Sequence, residues 1–200
     1  MGTRFLAVAL GAWYYLGQQD QKASAELNQA VRVLDTPLRP EGAPAQPDFP
    51  SFASANERAT EAHKKFQAIV DKYPHTHSSD MARYFLGLTS ATLGDNTSAE
   101  RELKAVASTH NEDLTSLGKF ALASVYRNSN RNKDAIDLYK QLIDKPTSTV
   151  GKVTVQLELA ATYQAEQQPL EAKRTYEQVQ KENPATEAAQ IASAKLRDLK

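Results

Sequence analysis

Several residue types are absent from or scarce in this 200-residue chain, and each absence excludes a class of function. It contains no cysteine, which excludes disulfides, cysteine-ligated zinc, thiol catalysis and attachment of a lipid to a cysteine. Its 24 basic and 24 acidic side chains cancel, whereas a nucleic-acid-binding protein needs a clustered excess of Lys and Arg. Its eight glycines are scattered and form no phosphate-binding loop. We therefore expect neither nucleic acid nor a small-molecule substrate as a ligand.

Residues with catalytic or metal-binding chemistry are present, but they form no recognisable site. His75 and His77 could ligate a metal, yet no carboxylate at a set spacing supports the pair. Asn111, followed by Glu112 and Asp113, is explained by helix capping more simply than by acid–base chemistry. No nucleophile-elbow motif surrounds any serine. The sequence therefore predicts no enzymatic activity, no metal and no cofactor.

Proline is concentrated in one stretch of the chain. Five of the nine prolines fall within residues 37–51. Each proline lacks an N–H group and disfavours the α conformation of the residue before it, so this stretch is predicted to be a loop. The other four stand at the ends or starts of apolar-periodic runs and indicate helix boundaries. They are Pro74, Pro146, Pro169 and Pro184.

The N-terminus carries an uncharged, apolar segment at residues 5–17. As a helix it would be about 20 Å long at roughly 1.5 Å per residue, which is short of the about 20 residues that a membrane span needs. Trp13, Tyr14 and Tyr15 lie at its end, where an interfacial aromatic belt would lie. An uncleaved membrane anchor is the favoured interpretation, and a truncated span, a signal peptide or a buried soluble helix are the alternatives. Arg4 precedes the segment, which places the remainder of the chain across the membrane from the cytoplasm.

A repeated motif organises the rest of the chain. Each copy has an alanine, a bulky apolar residue four positions later and a further apolar residue three positions after that. The alanines, spaced 37, 36 and 37 residues apart, are Ala62, Ala99, Ala135 and Ala172. Twelve residues before the last three stands a small residue: Gly87, Ala123 and Ala160. Small residues let paired helices approach closely, and this period and pattern resemble the tetratricopeptide repeat, a helix-turn-helix unit.

These observations predict an all-α fold, a tetratricopeptide-repeat solenoid of about four helix pairs. A capping helix is expected at 185–199. The first helix of the first pair is assigned to residues 18–35, and the loop 37–51 replaces the usual short turn, which is often a sign of function. The predicted division of the chain is an apolar anchor at 1–17 and a repeat domain at 18–200. Gly94, Asn130 and Gln167 are expected in the turns between paired helices, where a positive φ is often needed.

The first helices of stacked repeats line a concave surface, which is the predicted binding site. This surface is an apolar-aromatic groove with a polar end, suited to an extended or helical segment of a partner protein. Several of its residues could equally belong to the core between repeats, and the sequence leaves both interpretations open. The predicted groove residues are Tyr84, Leu88, Phe120, Ser124, Arg127, Asn128 and Gln164.

The order of these segments resembles the YfgM-type ancillary subunits of the Sec translocon. The resemblance is carried by the apolar segment continuing into 18–35, by residues 72–76, by residues 82–88 and by the Gly94-Asp95 turn. It implies a bacterial inner-membrane protein with a single-pass anchor and a periplasmic repeat domain. The implied partners are translocon subunits and periplasmic chaperones or their clients, in protein export. A soluble or secreted structural scaffold in cell-envelope assembly is the alternative.

Overall fold

The computed structural model describes residues 2–46 and 48–199, and its description of side chains begins at Leu10 and omits Ala12. Within those residues it contains nine α-helices and no regular β-strand. The helices are α1 (Gly2–Asp35), α2 (Ala55–Lys72), α3 (His77–Thr92), α4 (Asn96–Val106), α5 (Glu112–Asn128), α6 (Asn132–Asp144), α7 (Lys152–Ala165), α8 (Pro169–Glu182) and α9 (Glu187–Asp198). Four pairs in chain order are followed by α9, which packs on α8 and α7. The predicted all-α fold is confirmed.

Two compact units divide the chain, Met1–Glu102 (unit 1) and Leu103–Lys200 (unit 2). The core of unit 1 contains Ala62, Phe66 and Leu86 from α2 and α3. The second half of α1 completes this core with the side chains that its 3.6-residue period places on one face: Ala23, Leu27, Ala30, Val31 and Leu34. Residues 18–35 therefore act as the first helix of the first pair, as predicted.

Polar contacts attach α1 to the helices beside it. The Asp20 carboxylate accepts a hydrogen bond of 2.8 Å from the backbone N–H of Ser78, at the N-terminus of α3. The Glu26 carboxylate accepts hydrogen bonds of 2.6 Å from both the Lys72 ammonium and the Tyr73 hydroxyl. These two donors, Lys72 foremost, hold the pKa of Glu26 below its usual range. From Asp20 onward, α1 is thus tied to α2 and α3.

The N-terminal half of α1 exposes apolar side chains. Leu10, Trp13, Tyr14 and Tyr15 are 62%, 75%, 65% and 61% exposed. No helix in the described part of the chain is long and apolar enough to cross a membrane. Six side chains of the predicted anchor, at positions 5–9 and 12, lie outside the described set. The anchor at 5–17 stays a prediction.

Residues 36–54 connect α1 to α2 through a loop with an ordered base. The Arg39 N–H donates to the carbonyl of Phe52 at 2.9 Å, and the Phe52 N–H donates to the carbonyl of Pro37 at 3.1 Å. The Arg39 guanidinium also donates to the carbonyl of Ser51 at 3.0 Å. As the prolines predict, the described residues of 37–51 form no helix. The sequence did not predict that the two ends of the loop pair.

The turns inside the later helix pairs use the residues that the sequence indicated. Gly94, Asn130 and Gln167 have φ angles of 84°, 57° and 57°. Pro169 then begins α8, where its missing N–H costs no helical hydrogen bond. The turn chemistry predicted from these residue types is therefore confirmed.

One position in three successive first helices makes a polar bond to the second helix of its pair. The three side chains stand 36 and 37 residues apart, so they share one place in the repeat. The bonds are Arg83 to Glu102 at 2.7 Å, Lys119 to Gln141 at 3.1 Å and Gln156 to Glu182 at 3.2 Å. Each of these three helix pairs therefore has a polar bond at the same repeat position.

Gly118 lies at a close approach of two backbone segments in unit 2. A Cβ atom at this position would lie 2.8 Å from both the backbone nitrogen of Ala107 and Cγ1 of Val106. No such contact exists at Gly17, which is also helical.

We predict that Gly118→Ala lowers the free energy of unfolding of unit 2 by about 1–3 kcal/mol, because the added methyl group overlaps backbone atoms. Gly17→Ala is the matched control and is expected to cause no loss, since alanine favours helix. Thermal unfolding followed by circular dichroism measures both. Equal melting temperatures for Gly118→Ala and the wild type would contradict the close approach.

The Glu182 carboxylate on α8 accepts several side-chain hydrogen bonds that affect its pKa. Hydrogen bonds from Gln178, Lys152 and Gln156 lower the pKa of Glu182 to about 2 from an ordinary 4.5. A depressed carboxyl pKa stabilises the fold above pH 4.5, and that contribution is lost as the pH falls towards 2. Glu182→Gln is expected to reduce the loss of melting temperature over this window. The control is Glu177→Gln on the same helix, where the nearest cation is 3.9 Å away, and it is expected to leave the profile unchanged.

Candidate functional site

The seven predicted groove residues are divided between the two units. Tyr84 and Leu88 lie on α3 in unit 1. The other five lie in unit 2, on α5 and α7: Phe120, Ser124, Arg127, Asn128 and Gln164. The membership of the two groups in one binding groove stays a prediction.

In unit 1, Tyr84 borders the core. Its ring meets that of Phe85 edge to face, with centroids 5.4 Å apart, and Phe85 stacks on Phe66 at 5.1 Å. Tyr84 and Leu88 are both half-buried. Burial raises the pKa of the Tyr84 hydroxyl. Tyr84 therefore supports the core with one ring face and keeps part of its surface open.

In unit 2, an aromatic pair forms the apolar part of the site. The ring of Phe120 meets that of Tyr139 edge to face, with centroids 5.9 Å apart. Tyr139 is fully buried, whereas Phe120 is half-buried. The Ser124 hydroxyl donates to the carbonyl of Phe120 at 3.3 Å, one helical turn earlier. A half-buried aromatic ring thus lies against a fully buried one.

An ion pair and an amide form the polar part. The Arg127 guanidinium on α5 pairs with the Glu158 carboxylate on α7, and their side chains are 31% and 35% exposed. The Gln164 side-chain oxygen accepts a hydrogen bond of 2.9 Å from the Tyr176 hydroxyl. Asn128 is exposed at the last position of α5. The ion pair therefore joins the first helices of two neighbouring repeats.

The two tyrosine hydroxyls of this site lie in the field of the same ion pair. Burial raises the pKa of both Tyr139 and Tyr176. Glu158 raises these pKa values further, while Arg127 lowers them. The hydroxyls differ in one respect: Tyr176 donates to Gln164, but the buried Tyr139 hydroxyl has no hydrogen-bond partner among the described residues.

This arrangement has the chemistry to bind a peptide segment. It offers hydroxyl, guanidinium and amide donors around a partly exposed aromatic ring, which can bind the carbonyl groups and apolar side chains of a peptide segment. Among the described residues no cluster of three or more His, Asp or Glu side chains could hold a metal ion. Prediction from sequence missed Glu158, and an opposite charge on the next first helix was the available signal.

A cleft in unit 2 contains none of the predicted groove residues. It has a volume of about 660 Å³ and lies between the start of α5 and the segment after α6. Two acidic side chains, Glu112 and Asp144, and two basic ones, Lys119 and Lys145, line it, so their charges cancel. The predicted residues therefore do not share their surface with this cleft.

Comparisons with known proteins agree with the helix-pair architecture. Residues 4–140 match the family model described as "Tetratricopeptide repeat-like domain", and residues 154–186 match that described as "Tetratricopeptide repeat". Among proteins with curated descriptions, none matches the sequence.

Two solved structures share the fold. Both are crystal structures of nearly identical TPR-like repeats attributed to a kinesin light chain of Podosopora anserina. The first is 17% identical, with a TM-score of 0.66 over 89% of this chain and 84% of that chain. The second is 18% identical, with a TM-score of 0.67 over 89% and 85%. At this identity the likeness shows the fold alone.

Tyr139 and Tyr176 occupy equivalent repeat positions and provide a matched test of the site. Tyr176→Phe removes the hydrogen bond to Gln164 and is expected to cost about 0.5–1.5 kcal/mol of unfolding free energy. Tyr139→Phe is expected to be neutral or stabilising, because it removes a buried hydroxyl that has no partner. Urea unfolding compares the two variants. A larger loss for Tyr139→Phe than for Tyr176→Phe would show that the Tyr139 hydroxyl is bonded.

Proposed function

Because the chain belongs to the tetratricopeptide repeat-like domain family, we propose that it is a non-catalytic scaffold that binds segments of partner proteins along its repeats. The observation that carries this proposal is the convergence in unit 2 of Phe120, Ser124, Arg127 and Gln164. Polar groups on successive first helices surround a partly exposed ring. This combination of an aromatic anchor and adaptable hydrogen-bonding groups favours a peptide ligand.

The finer proposal concerns the place of action. The scaffold is attached to the bacterial inner membrane through residues 5–17 and carries its repeats on the periplasmic side. The exposed Trp13, Tyr14 and Tyr15 support this proposal, since an aromatic belt is favoured at a membrane interface. Arg4 supports the orientation. The resemblance to the YfgM-type subunits supports a role beside the Sec translocon or periplasmic chaperones in protein export.

A soluble or secreted structural scaffold in cell-envelope assembly is the second candidate. It is favoured by one observation, that no helix among the described residues is suited to crossing a membrane. In that case residues 1–17 are removed or covered by another protein. The mass of the mature protein distinguishes the candidates, because a processed chain lacks these residues.

We expect the intact chain to remain in the membrane fraction through an alkaline carbonate wash. A photo-crosslinking amino acid at the exposed position 128 is expected to recover translocon or periplasmic chaperone subunits. Arg127→Ala removes a charged hydrogen-bond donor that contributes about 1.4 kcal/mol or more to the binding free energy. It is therefore expected to weaken this capture by about tenfold.

The matched control is Arg174→Ala on α8, where the side chain is 73% exposed and pairs with Glu171 of its own helix. This control is expected to capture partners as the wild type does. Release of the unprocessed chain by carbonate would overturn the membrane proposal. Equal capture by Arg127→Ala and the wild type would overturn the assignment of the binding surface.

A further inference from the structure

Helix α1 passes without interruption from an apolar segment into the core of unit 1. It extends over Gly2–Asp35, and Gly17, at the end of the apolar segment, lies within the helix. Ala23 and Ala30 in its second half are fully buried against α2 and α3. The direction of the apolar segment is therefore set by the packing of unit 1.

Among the described side chains of the apolar segment, aromatic and aliphatic groups point to every side of the helix. Successive residues of a helix point about 100° apart, so Trp13, Tyr14 and Tyr15 form a collar around the helix axis. Leu10 and Leu16 are also exposed, in further directions. A helix that lies flat on a membrane has one polar face. A helix that is apolar on all sides is instead stable only where an apolar environment surrounds it. The segment therefore suits insertion along its axis into lipid.

The collar indicates the level of the lipid headgroups, where Trp and Tyr are enriched. Asp20 lies five residues further on, which is about 8 Å along the axis. Its carboxylate is bonded to the N–H of Ser78 at 2.8 Å, and Glu26, less than two turns later, is bonded to Lys72 and Tyr73. The end of α2 and the start of α3 are thus attached to the part of α1 closest to the collar.

The opposite end of α1 leads into the proline-rich loop. Asp35 lies about 22 Å beyond Asp20 along the axis. The Arg58 guanidinium on α2 donates to the carbonyl of Thr36 at 3.0 Å, which holds the start of the loop against α2. Phe49 in this loop is 71% exposed and Leu38 is 44% exposed. The loop and the α2–α3 connection are therefore at opposite ends of unit 1.

We propose that α1 is a rigid post that holds residues 73–76 next to the lipid headgroups and presents the proline-rich loop away from the membrane. The lipid surface is the partner of the collar, and the loop faces the aqueous side with Phe49 exposed. This inference rests on the membrane attachment in the proposed function. It adds which edge of unit 1 faces the lipid.

The test uses the full chain bound to vesicles of phosphatidylethanolamine and phosphatidylglycerol. Because the protein has no cysteine and one tryptophan, single spin labels and Trp13 emission need no background mutations. One label is placed by His77→Cys at the start of α3, and the matched label by Gln46→Cys in the loop, since both side chains are exposed. A paramagnetic metal chelate on a lipid headgroup reports the distance of each label from the membrane surface.

We expect a blue shift of Trp13 emission on binding, and a larger relaxation enhancement for the label at 77 than for the label at 46. Gly17→Pro, which breaks the helix between collar and core, is expected to keep the blue shift and lose the difference between labels. A blue shift with equal or reversed enhancements overturns the rigid post and leaves membrane attachment intact. Absence of any blue shift overturns both this inference and the membrane attachment on which it rests.

Discussion

The rest of the structure depends on the close approach of paired helices at one alanine in each repeat. Ala62, Ala99, Ala135 and Ala172 are all fully buried, and no larger side chain would allow the second helix to lie so near the first. The bulky residue four positions later lies on the same face of its helix, and all four are at most 1% exposed: Phe66, Leu103, Tyr139 and Tyr176. A local spacing in the sequence thereby determines where the largest side chains of each pair lie.

This constraint also determines the chemistry of the candidate site. Two of the four bulky residues are tyrosines, so two hydroxyl groups are carried to equivalent places beneath the first helices of unit 2. The first-helix residue at one equivalent repeat position near these hydroxyls differs between the two pairs. Gln164 accepts from the Tyr176 hydroxyl, whereas Arg127, one repeat earlier, pairs instead with Glu158. One repeat position therefore supplies a satisfied hydroxyl in one pair and an unsatisfied one in the other.

The features that could be predicted from sequence are those set by neighbours along the chain. The helix pairs follow from a constant period, and the turns follow from residues that tolerate a positive φ, including the non-glycine Gln167. The contact of Arg127 with Glu158 spans 31 residues, and the pairing of Leu38 with Phe52 closes the proline-rich loop. Such contacts depend on the direction of the side chains and on how distant segments of the chain pack together. A local sequence pattern predicts neither. The same holds for Gly118, since its neighbour at Val106 belongs to another helix.

The continuity of α1 has a consequence for rotation as well as for distance. An unbroken helix fixes the azimuth of the collar relative to unit 1, because each residue turns the chain by about 100°. One residue inserted between Leu16 and Asp20 would turn unit 1 by that angle about the axis while lifting it by only about 1.5 Å. An insertion of seven residues would nearly restore the azimuth, since it adds almost two full turns. Under the proposed membrane attachment, the register of this short stretch sets which side of unit 1 a neighbour in the same membrane would meet.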